Sequence, residues 1–143
     1  MFMKPNVSIS IKSIKELEYS IVSSKLDNKI LLTNSGFSVS TLFDIPSEVF
    51  ELQLVFDILD SNKKNQIVHI KVANVFKVEN LASFLVNSSK LNLPANILAT
   101  MLGLSISHTR ALLARNTAGT PFGEFYIPIV NPNELAKRLF NKS

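Results

Sequence analysis

The chain has 143 residues, 46% of them hydrophobic and 18% charged, and a formal net charge of +4. This excludes a disordered polar chain and leaves room for one domain or two very small ones. It contains no cysteine, which excludes disulfides, thiolate catalysis and cysteine-based zinc sites. A reducing, cytoplasmic location is the expectation.

Near the start, Val7, Ile9 and Ile11 alternate with Ser8, Ser10 and Lys12, the pattern of a half-buried strand. Residues 15–23 either continue that strand or form a short helix on Leu17, Ile21 and Val22. Turn residues Asp27 and Asn28 precede a second strand at 29–33, and Asn34-Ser35-Gly36 precedes a third at 37–43. Pro46-Ser47-Glu48 reads as a helix start, with Val49, Leu52, Phe56 and Leu59 on one helical face. The run from Val49 to Leu59 is broken by Glu51, Gln53 and Asp57, too polar for a membrane span. The first 13 residues lack the apolar core and cleavage site of a signal peptide. Beyond a polar loop at 61–65, residues 66–72 alternate again and extend as a strand towards Val75.

From Val78 the spacing turns helical. A first helix is expected at 79–89, with Leu81, Phe84, Leu85 and Ser88 facing inward. Pro94 opens a second helix holding Ile97, Leu98, Met101 and Leu102, which Gly103 ends. Ser105 caps a third, running from Ile106 to Arg115 or Asn116. A loop at 117–123 leads to a strand at 124–130, which Pro128 confines to a sheet edge. Asn131 as N-cap, Pro132 in the first turn and Glu134 three residues on start a last helix carrying Leu135, Leu139 and Phe140.

The stretch Leu98-Ala99-x-x-Leu102-Gly103-Leu104-Ser105-x-x-x-Thr109-x-x-Leu112 resembles the helix-turn-helix family of DNA-binding modules. Thr109 stands where that family more often has valine or isoleucine. The loop and strand that follow resemble the wing of a winged helix, although a second wing strand is not evident. The fold class expected is therefore α+β. Residues 1–77 form a small α+β unit for dimerisation or partner binding, and residues 78–143 form a three-helix, winged helix-turn-helix unit.

What the resemblance implies is double-stranded DNA binding by a homodimeric transcriptional or replication-associated regulator. Ser105, Ser107, Arg110 and Ala111 would lie nearest the bases or phosphates, with Arg110 reading a guanine edge. His108, Arg115, Asn116 and Thr117 would lie near the backbone. Charge agrees in sign: residues 1–78 carry a net +1 and residues 79–143 a net +3, and no acidic residue occurs between Asn80 and Gly123. The rival reading is a protein-interaction module that docks a partner through the same helical unit. A third, an enzyme of unrecognised type, needs a polar pocket in the N-terminal half. The two histidines, His69 and His108, have no carboxylate at ligand spacing, and no catalytic triad, carboxylate pair or phosphate loop stands out. No catalytic residue, metal, cofactor or membrane contact is therefore expected.

Overall fold

The computed structural model describes residues 8–21, 35–59, 66–119 and 130–140. Four long strands form one antiparallel sheet: β1 (Ile9–Ile21), β2 (Ser35–Asp44), β3 (Val49–Leu59) and β4 (Gln66–Val78). Their spatial order is β1-β4-β3-β2, a Greek-key arrangement with the first two strands at opposite edges. A single 3-10 turn (Leu81–Phe84) leads into a small hairpin, β5 (Leu85–Asn87) with β6 (Lys90–Leu91). Helix α1 (Ala95–Thr117) lies on the central strands β3 and β4, and α2 (Pro132–Phe140) packs on α1.

The core follows from alternation on β3. Phe50, Leu52, Leu54, Phe56 and Ile58 all face α1 and are buried. They stand opposite Phe76, Asn74, Val72, Ile70 and Val68 of β4. The expected helix over 46–59 is thus a turn and a strand. The helical spacing would bury four side chains, the alternation buries five, and the Val, Phe and Ile content suits a pleated surface. The supposed helix start closes a hairpin instead: Asp44 accepts hydrogen bonds from the Ser47 backbone N–H, at 3.2 Å, and from the Ser47 hydroxyl. The Glu48 N–H donates to the Ile45 carbonyl at 3.0 Å.

β1 is one continuous strand, the first of the two alternatives read for residues 15–23. It carries register shifts at Ile11/Ser13 and Glu16/Glu18. The expected strand at 37–43 is present as β2, and that at 66–72 extends as β4 to Val78. The strand expected at 29–33 and most of that at 124–130 lie outside the described residues.

The expectation of a three-helix, winged helix-turn-helix is overturned. Residues 79–89 are not a helix. Asn80 sits in the left-handed region at φ 59°, and Asn87 accepts from the Ser89 N–H at 2.9 Å, closing a tight turn. The second and third expected helices are one helix of 23 residues, with Gly103 and Ser105 in its interior. Buried positions Ala99, Leu102, Ile106, Thr109 and Leu113 keep a three-four spacing straight through the supposed turn. Ser105 caps nothing: its hydroxyl donates to the Met101 carbonyl at 2.8 Å. Thr109 does the same to Ser105, and Thr117 to Leu113, each at 2.8 Å. Gly103 has a packing role. A Cβ there would stand 3.3 Å from Pro132 Cγ, so its smallness lets α2 approach. By length and composition α1 is apolar enough to cross a membrane, but here it is the helix that covers the sheet.

Helix α2 starts as read. The Asn131 side chain accepts from the Asn133 N–H at 2.9 Å and the Glu134 N–H at 3.4 Å.

Candidate functional site

All eight residues expected to touch DNA lie on α1, but they do not form one outward face. Ser107, Ala111 and Arg115 are exposed, and Arg110 is half-buried. Ser105 and Thr117 are buried and bonded to their own helix. Asn116 is turned towards the sheet, where its side-chain amide donates to Glu16 and its backbone carbonyl accepts from the Tyr19 hydroxyl at 3.4 Å. His108 points inward. Its Nδ1 lies 2.8 Å from Oδ1 of the fully buried Asn74, whose amide nitrogen donates to the Leu52 and Val72 carbonyls. Among the described residues no helix stands clear of the body as a groove-reading helix must.

The second histidine organises the opposite face of the sheet. His69 on β4 places Nδ1 2.5 Å from Asp57 on β3 and Nε2 2.8 Å from Glu18 on β1, so one ring ties three strands together. Lys71 lies 3.9 Å from the other Glu18 oxygen. Partial burial disfavours a charged His69, but the two carboxylates outweigh it and the pKa rises above the ordinary 6.5. Glu18 moves the other way, held low by its bond to His69. For His108 burial alone acts, and its pKa falls below 6.5.

The two histidines therefore have opposite linkage. His69 contributes stability that is present below its unfolded pKa and lost as pH rises through the raised folded value. His108 contributes stability that is present above the unfolded value and lost as pH falls through the lowered one. In His108→Gln, Tm is expected to fall as pH rises above about 6.5; in His69→Gln it is expected to fall as pH drops below about 6.5. Thermal unfolding followed by circular dichroism from pH 5 to 8 checks this, and slopes of the same sign in the two variants would refute it.

A concavity lies elsewhere, at the end of the sheet beside β2, the outermost described strand. Thr41, Phe43 and Phe50 form one side of a groove of about 740 Å³. Residues 89–93, across the β5–β6 hairpin, form the other, and Pro94, Ala95 and Leu98 of α1 and Phe140 of α2 close it. Alternation positions the β2 residues: Phe37, Val39, Thr41 and Phe43 face α1, while Leu42, 58% exposed, faces away. Among the described strands β2 pairs with β3 alone. An apolar floor beside an outer strand is a geometry that can take an extended polypeptide, with backbone hydrogen bonds from the edge and alternate side chains on the floor.

The sequence reading missed this groove. Its residues come from four separate segments, each ordinary by itself. Only the β5–β6 turn chemistry, Asn87-Ser88-Ser89, marked anything there. Among the described residues no group of three His, Asp or Glu side chains is placed to hold a metal ion.

No protein-family model and no curated protein matches the chain. The solved structures do contain similar folds. One is a SecB-like chaperone of Mycobacterium tuberculosis in complex with a ChAD peptide from the HigA1 antitoxin. It matches 85% of this chain and 90% of its own, with a TM-score of 0.56 at 11% sequence identity. That likeness and the unbroken α1 correct the expectation of a winged-helix DNA-binding regulator whose partner is double-stranded DNA. The chain is similar in fold to a SecB-like chaperone.

Proposed function

We propose that this protein holds extended, apolar stretches of other polypeptides, as a chaperone-type binder that performs no chemistry on them. The observation that carries this is the groove beside β2, the outermost of the described strands, floored by Phe43, Phe50, Leu98 and Phe140. Such a floor recognises apolar side chains without demanding one sequence, because apolar contact is non-directional. An outer strand can recognise backbone, which every polypeptide has. A similar fold solved with a peptide bound supports the same reading. The sequence alone suggests docking through the C-terminal helical unit; the surface proposed here is the groove beside β2.

The test is fluorescence anisotropy of a fluorescein-labelled nine-residue peptide with an apolar Leu-Phe-Leu centre, titrated with the full chain. A saturable rise is expected, and a Ser/Gly peptide of equal length should give none. Equal responses to both peptides, or none to either, would refute the reading.

A further inference from the structure

The groove has a charge sign as well as an apolar floor. Lys90, exposed on β6, is the one ionisable side chain among its described lining residues. Residues 89–95 and Leu98 belong to the run from Asn80 to Gly123, which contains neither Asp nor Glu. Two carboxylates are next in chain to the floor, Asp44 after Phe43 and Glu51 after Phe50. Both face the opposite side of the sheet, where Asp44 is taken up by Ser47 and Glu51 accepts from the Gln53 amide. The wall formed by the start of α1 agrees in sign: Pro94 supplies no side-chain cap, and the first turn holds no acidic residue.

We propose that the groove selects apolar segments that carry a carboxylate, with Asp or Glu within a residue or two of the apolar anchor, and disfavours segments flanked by Lys or Arg. This rests on the peptide-holding reading above. An acidic flank meets Lys90 beside a surface already partly shielded from water by the floor. A basic flank meets like charge there, with no carboxylate among the described lining residues to offset it. Each contribution is modest in water, but both act in one direction.

Three fluorescein-labelled nine-residue peptides test it. They share the Leu-Phe-Leu centre and carry two Asp, two Ser or two Lys beside it. With the full chain at low salt, the Asp peptide is expected to bind about five- to tenfold more tightly than the Lys peptide. The Ser peptide should fall between them, and added salt should narrow the gap. Lys90→Glu should shrink or invert the order, and Lys90→Gln should shrink it; unchanged circular dichroism and Tm would show both variants folded. If all three peptides bind alike, or the order survives Lys90→Glu, charge selection is overturned while peptide holding stands. If none binds, peptide holding itself fails. Peptide release at high protein concentration, with a doubled mass, would assign the groove to a second copy and also overturn the proposal.

Discussion

Leu54→Ala is expected to lower the free energy of unfolding by about 2–5 kcal/mol, a large share of the roughly 5–15 kcal/mol typical of a domain. Leu54 is fully buried on β3, between Val39 of β2 and Val72 of β4 in register. Cutting it back leaves a cavity under α1 that the neighbouring strands, hydrogen-bonded on both sides, cannot collapse to fill. Val55→Ala, one residue along and on the other face, should cost about 1 kcal/mol or less. The pair is diagnostic because the helical reading of this segment places Leu54 off its buried face. Urea denaturation of both variants supplies the numbers. Similar losses for the two would mean that β3 does not alternate as described.

The second large effect concerns the groove. Phe43→Ser with Phe140→Ser is expected to weaken binding of the apolar peptide by at least about 100-fold, since an aromatic anchor in a desolvated contact contributes on the order of 2 kcal/mol. Both rings are half-buried and pack against the core at its margin. Unfolding should therefore remain cooperative, at a somewhat lower Tm. Leu42→Ser is the control: it neighbours Phe43 in sequence but faces away from the groove. Anisotropy titrations should leave that variant at wild-type affinity. Retained binding in the double serine variant would move the peptide site elsewhere.

Much of the sheet was legible in the sequence and most of the helical half was not. Alternation at Ile9 and Ile11, at 37–43 and at 66–72 was enough to place β1, β2 and β4. At 49–59 two periodicities coincide, since Leu52 and Phe56 belong to both the helical face and the alternating one. Only tertiary pairing with β4 decides between them. The helix-turn-helix resemblance failed on an unbroken phase. Ala99, Leu102, Ile106, Thr109 and Leu113 repeat at three and four across Gly103, and a true turn would have reset that count. Glycine ends helices often, but here it is small because Pro132 sits against it. Serine caps helices often, but Ser105 is satisfied by Met101. The acid-free run from Asn80 to Gly123 was noticed and assigned to a polyanion; the fold lays part of it along the groove instead. The groove itself could not be read, because Thr41, Phe50, Leu91, Leu98 and Phe140 meet only after the strands have paired.

The strand order sets the sequence of events during synthesis. β1 has β4 as its partner among the described strands, with Ile9 opposite Val78 and Ile21 opposite Val68, so it must wait for the fourth strand of the sheet to be made. At about 5–20 residues per second that wait is on the order of several seconds. Throughout it Ile11, Ile14 and Leu17, which stay 40–46% exposed even in the finished fold, have no strand beside them. Such a delay favours slow, late closure of the sheet and exposes the nascent chain to aggregation.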